Sequence, residues 1–91
     1  GLGAALAIYS YEADVVAMLI SADDEYSLFP PNVAPMINRD VIGVVTKIDR
    51  ADPSRAEGWL RLSGCRRIFL VDSHTGRGIE ELKAYLRKQR L

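Results

Sequence analysis

Three short apolar runs punctuate the chain: Val15 to Ile20, Val41 to Val45, and Ile68 to Val71. All are rich in β-branched residues and none alternates apolar with polar. Continuous runs of this length suit strands covered on both faces, as in a parallel sheet. The segments between them carry helical signals. Asp52 can cap a helix with Pro53 in its first position. Ala56, Trp59 and Leu60 then make an i, i+3, i+4 stripe, and Gly64 supplies the left-handed residue that ends a helix. A last helix is predicted from about Gly78 to Arg90, with Ile79, Leu82 and Leu86 as its apolar face. Its acids lie at the start and its bases at the end, matching the helix dipole. Residues 2 to 11 place Leu2, Ala5, Leu6 and Tyr9 on one face and predict a further helix. In the 21–39 connection, Pro30, Pro31 and Pro35 forbid a long helix but allow a short one from about Asn32 to Asn38. The predicted order is α-β-α-β-α-β-α. It implies a three-layer α-β-α architecture around a parallel sheet of about three strands.

At 91 residues, with 48% hydrophobic and 26% charged residues, the chain is one small globular unit or a piece of a larger one. Twelve basic and twelve acidic residues cancel, which argues against nonspecific nucleic-acid binding and against a basic membrane anchor. No apolar run approaches the ~20 residues of a membrane helix. No signal-peptide pattern opens the chain. A single cysteine, Cys65, excludes an internal disulfide and a cysteine metal cluster, and points to a reducing, cytoplasmic compartment. The first residue is Gly1, not Met, so the natural N-terminus is expected upstream.

In open parallel sheets, ligands sit beyond the carboxyl ends of the strands. Two loops therefore matter: Thr46-Lys47-Ile48-Asp49 and Asp72-Ser73-His74-Thr75-Gly76-Arg77-Gly78. A carboxylate at Asp49 can accept together from N1–H and N2–H₂ of guanine. Adenine presents an acceptor there, and each buried unpaired polar group costs about 1–3 kcal/mol. Asp49 thus favours guanine. The Lys47 stem can lie on the purine face while its ammonium stays hydrated, and Thr46 can tie the loop to its neighbours. The second loop can offer backbone N–H groups to guanine O6, with Gly76 and Gly78 allowing a tight turn into the last helix.

These segments resemble a known family. Val44-Val45-Thr46-Lys47-Ile48-Asp49 is similar to the N/T-K-x-D motif of Ras-like and translation-factor-like GTPases. The longer series resembles the EutP/PduV proteins of ethanolamine and propanediol utilisation. It comprises Ser27-Leu28-Phe29-Pro30-Pro31, Val41 to Asp49, Ile68-Phe69, and Gly76-Arg77-Gly78-Ile79-Glu80-Glu81-Leu82. T-K-x-D alone is a short pattern; the ordered series carries the resemblance, from about Tyr9 onward. It implies the C-terminal half of a P-loop GTPase-like domain. It also implies a purine nucleotide, GTP or ATP, as ligand, with microcompartment or shell proteins as partners. The implied nucleotide-binding residues are Thr46, Lys47, Asp49, Asp72 and Ser73, and the chemistry of Asp49 favours GTP.

The chain departs from that pattern. It contains no G-x-x-x-x-G-K-[ST], and none of its lysines, at 47, 83 and 88, follows a glycine. The phosphate cradle and the hydroxyl that binds Mg²⁺ are therefore lacking, and Mg²⁺ is expected only with an N-terminal half. Asp40-Val41-Ile42-Gly43 fits D-x-x-G in letters but enters a strand at its start. Asp72-Ser73 stands where the family usually has Ser-Ala, and an acid facing a base carbonyl would repel it. His74, the one histidine, lacks partners for a catalytic or metal site. The Asp23-Asp24-Glu25 cluster reads as a solvated turn with capping roles. Trp59 reads as a helix-face core residue, and Arg66 and Arg67 as surface charges.

Three functional hypotheses follow: part of a nucleotide-binding protein, a self-standing interaction or scaffold module, or part of a nucleotide hydrolase or phosphotransferase. This chain alone is expected to be inactive. A strand carrying a phosphate loop would normally flank Val15 to Ile20. Without it, that run is expected to offer an unpaired edge, through which the chain either dimerises or swaps, or else aggregates.

Overall fold

A computed structural model describes residues 7–11 and 15–88. Four strands form one sheet in the order β1-β2-β3-β4: β1 Ala7–Tyr11, β2 Val15–Ser21, β3 Asp40–Thr46 and β4 Arg67–Leu70. β2, β3 and β4 run parallel, with Val16 opposite Val41 and Val44 opposite Phe69. Helix α1, Ser54–Leu62, joins β3 to β4, and α2, Ile79–Lys88, follows β4. The three expected strands are present with ends shifted by one residue or so.

The apolar runs fail to alternate because both faces are covered. Met18, Ile20 and Val45 pack with Ala56 and Leu60 of α1. Val15, Ile42, Val44 and Val71 pack on the other face, against Ile79, Leu82, Tyr85 and Leu86 of α2. This is the three-layer α-β-α arrangement. Leu60, Ile42 and Met18 are completely buried. Each contributes roughly 1.5–3 kcal/mol of apolar transfer free energy. Gly43 lies where α1 packs tightly against β3: a Cβ there would stand 2.9 Å from Leu60 Cδ1.

The ends of α1 follow local chemistry. The Ser54 N–H donates to Asp52 Oδ1 at 2.8 Å, but Pro53, not Asp52, holds the N-cap position and the helix begins at Ser54, one residue later than expected. At the far end the Gly64 N–H reaches Arg61 O and the Cys65 N–H reaches Leu60 O. Gly64 sits at φ 101° between them. This double bond pattern is the Schellman motif, with buried Cys65 closing it on the apolar side.

Two expectations are corrected. Residues 7–11 are a strand, antiparallel to β2 with Tyr9 opposite Ala17, and not part of a helix over 2–11; residues 2–6 of that predicted helix lie outside the described residues. Ile8, Tyr9 and Tyr11 are good strand formers, and pairing satisfies backbone groups along the edge of β2 that a separate helix would leave open. The edge of Val15 to Ile20 is consequently covered by β1, not unpaired. Between β2 and β3 the predicted short helix shrinks to one 3₁₀ turn, Ala34–Met36, with Pro35 near its start. Buried Phe29 and Ala34 pin this connection to the α1 face. Among the described residues no helix is long and apolar enough to cross a membrane.

Candidate functional site

The carboxyl ends of β2, β3 and β4 lie side by side, so their loops share one rim of the sheet. Ser21 is in register with Thr46 and Val45 with Leu70. The Ala22 N–H donates to Thr46 O at 2.8 Å, and the Val71 N–H to Val45 O at 2.8 Å. The hydroxyls of Ser21 and Thr46 are 3.2 Å apart. The Thr46 hydroxyl also lies 3.5 Å from Ile20 O. Thr46 is therefore half-buried and clips the β2 and β3 ends together, the local tie anticipated for it.

Lys47 follows at φ 57°, in the left-handed region. Asn32 shares that conformation, but asparagine adopts it readily. A lysine there costs about 1–2 kcal/mol, an outlay that commonly marks a position held for function. The Arg50 N–H donates to Lys47 O at 3.0 Å and closes the turn. Lys47 and Asp49 are both exposed, and neither enters an ion pair among the described residues. The exceptional backbone of Lys47 has no sequence signature of its own.

The second loop is internally braced. The His74 N–H donates to Asp72 Oδ1 at 2.9 Å and the Thr75 hydroxyl to Asp72 Oδ2 at 2.8 Å. The Asp72 main chain exchanges bonds with Gly76 and Arg77. The Asp72 side chain is buried, and its carboxyl is held below the usual range, first by the His74 N–H. Both oxygens are thus directed into the loop, where they shape it. Ser73, His74, Thr75 and Arg77 are exposed along the same loop. Gly78, at φ 80°, lets it pass tightly over Leu70 before α2 begins.

The acidic turn behaves as expected of a local structural element. Asp24 Oδ2 accepts from the Ser21 N–H at 3.1 Å, and Asp24 O accepts from Arg55 of α1 at 2.7 Å. No cluster of three or more His, Cys, Asp or Glu suited to a metal occurs among the described residues. Arg55 lies 5.4 Å over the Trp59 ring, and Trp59 packs partly into the core. A cavity of about 420 Å³ lies elsewhere, at the opposite end of the sheet, beside Asp40 and Arg67 where β3 and β4 begin.

A family profile described as "Ethanolamine utilisation - propanediol utilisation" matches residues 1–88. The "Propanediol utilization protein PduV" of Citrobacter freundii is 36% identical over 88 residues, covering 93% of this chain and 59% of that protein. The chain therefore spans only about three-fifths of that curated relative's length. No solved structure matches the chain. With nearly all of its residues matched, the chain belongs to the PduV-EutP family of ethanolamine and propanediol utilisation.

Proposed function

We propose that this chain carries the base-recognition loops of a cytoplasmic purine-nucleotide-binding protein that works with the microcompartments of ethanolamine or propanediol utilisation. GTP is favoured over ATP. The observation that carries the reading is Lys47, held in a left-handed turn at the carboxyl end of β3 with Asp49 exposed just beyond it. Thr46 fixes the start of this turn to β2. Asp49 would accept from the guanine N1–H and N2–H₂ edge, the Lys47 stem would cover one base face, and the loop around Ser73 would approach O6. Asp72 supports this role from inside the loop. Mg²⁺ and phosphate contacts belong to a phosphate-binding half, since the 91 residues contain no phosphate-loop motif.

The test is an amide NMR titration of the chain with guanosine and with adenosine. Guanosine should shift residues 46–49 and 72–75, and adenosine should shift them far less. Equal responses, or none at these residues, would refute the base-site assignment. The chain alone should release no phosphate from GTP or ATP, because phosphoryl transfer depends on positioned cations that these residues do not supply.

A second reading, a non-catalytic interaction module built on a GTPase-like fold, has one observation of its own. β1 already covers the edge of β2, so these residues need no further strand on that side. A stable chain blind to every purine nucleoside would favour it.

A further inference from the structure

The amino ends of β3 and β4 carry a groove that the candidate nucleotide site does not use. Its lining includes Arg39, Arg66 and Arg67, with Asp40 as the single acid. Asp40 is already engaged, since its carboxylate accepts from the Tyr85 hydroxyl. Arg67 stacks 4.8 Å over the Tyr85 ring, and among the described residues Arg39 donates only to the carbonyl of its neighbour Asn38. None of the three arginines enters an ion pair among the described residues. The groove therefore has a positive excess and several planar donor forks, suited to carboxylates. Pro35 and Ile37 form its apolar side.

The turn that follows β2, at the other end of the sheet, presents a complement. Asp23 and Glu25 are exposed beyond β2. Among the described residues, exposed Tyr26 (49%) and Leu28 (53%) follow the acids in the chain, and exposed Met36 (83%) stands between the groove residues Pro35 and Ile37. Leu62 O accepts from the Asn32 N–H, which brings the end of α1 against the segment that leads to the groove. The acidic turn cannot fill its own groove, because the length of β3, roughly 20 Å, separates them.

We propose that the arginine groove of one chain receives the Asp23–Leu28 turn of a second copy, so that copies associate head to tail. Carboxylates of Asp23 and Glu25 meet Arg39 and Arg66, while Tyr26 and Leu28 cover Pro35, Ile37 and Met36. The two patches differ, so the contact is heterologous and can continue from copy to copy. The proposal rests on neither nucleotide reading.

Sedimentation velocity on this chain, at low salt and at about 0.5 M salt, where the Debye length falls below about 5 Å, tests it. Association should be concentration-dependent and at least tenfold weaker at high salt. A groove-blocked variant, Arg39→Glu with Arg66→Glu, and a turn-neutralised variant, Asp23→Asn with Glu25→Gln, should each self-associate at least tenfold more weakly. All four positions are solvent-facing, and far-UV circular dichroism confirms folding. An equimolar mixture of the two variants retains one intact groove and one intact turn. It should form a complex of two chains that grows no further. A wild-type chain that stays monomeric at low salt overturns the proposal, as does a mixture that fails to associate. Variants that associate as well as the wild type would instead indicate another contact, such as strand addition at an edge of the sheet, and would also overturn it.

Discussion

Gly78 crosses Leu70 so closely that a Cβ at position 78 would lie 2.0 Å from the Leu70 carbonyl oxygen. The contact is with backbone, which cannot swing aside, and Gly78 also holds φ 80°. Gly78→Ala should therefore destabilise the chain by about 2–4 kcal/mol, combining left-handed strain with overpacking. Gly58, inside α1, is the control, because a methyl group added there would meet nothing within 4 Å. Gly58→Ala should stabilise by about 0.5–1 kcal/mol. Urea unfolding midpoints of the two variants should move in opposite directions.

Gly43 and Leu60 set the distance between β3 and α1. Gly43→Ala pushes a methyl toward Leu60 Cδ1, with Leu60 Cβ and Ile68 Cγ1 each 3.3 Å away. A loss of about 1–3 kcal/mol is expected. Leu60→Ala should cost about 2–5 kcal/mol through the cavity it leaves. Because the new methyl occupies part of that cavity, the double variant should be more stable than the sum of the two losses implies. Strict additivity in a denaturant double-mutant cycle would show that the two residues do not share this space.

Asp72 should make the chain acid-sensitive. Its folded carboxyl lies below the ordinary value, first through the His74 N–H and also through the Thr75 hydroxyl, although burial opposes this. A depressed folded value means that the unfolded chain binds the proton more readily. The stabilisation is therefore complete above the ordinary carboxylate value of about 4 and is lost as pH falls through the lower folded value. Asp72→Asn should flatten stability against pH in that acidic window. Some dependence should remain from Asp52, likewise lowered by Ser54. An unchanged acid profile in Asp72→Asn would deny the carboxylate this role.

In a longer protein that also holds a phosphate loop, Asp49→Asn should weaken GTP binding by about 1–3 kcal/mol. It should also improve xanthosine triphosphate, whose base presents a carbonyl where guanine presents an amine. Calorimetric titration with GTP, ATP and xanthosine triphosphate measures both changes. An unaltered GTP affinity would take Asp49 out of the base site.

What the sequence determined by itself was whatever depends on neighbours along the chain or on burial so complete that it leaves a run of apolar letters. The strands at 15–21, 40–46 and 67–70 are of this kind, sandwiched between α1 and α2. So are the Asp52 bond to the Ser54 N–H and the Gly64 terminus of α1, whose partners lie within a few residues. Tertiary structure decided the rest. The helical spacing of Leu2, Ala5, Leu6 and Tyr9 was overruled at residues 7–11 by the hydrogen-bonding edge of β2, a partner that helical periodicity does not register. The direction of the Asp72 carboxylate, the left-handed turn at Lys47, and the meeting of Arg39 with Arg66 and Arg67 were likewise hidden. Each depends on how a loop closes or on which segments the sheet brings together, and such contacts leave no periodic trace in the order of the residues.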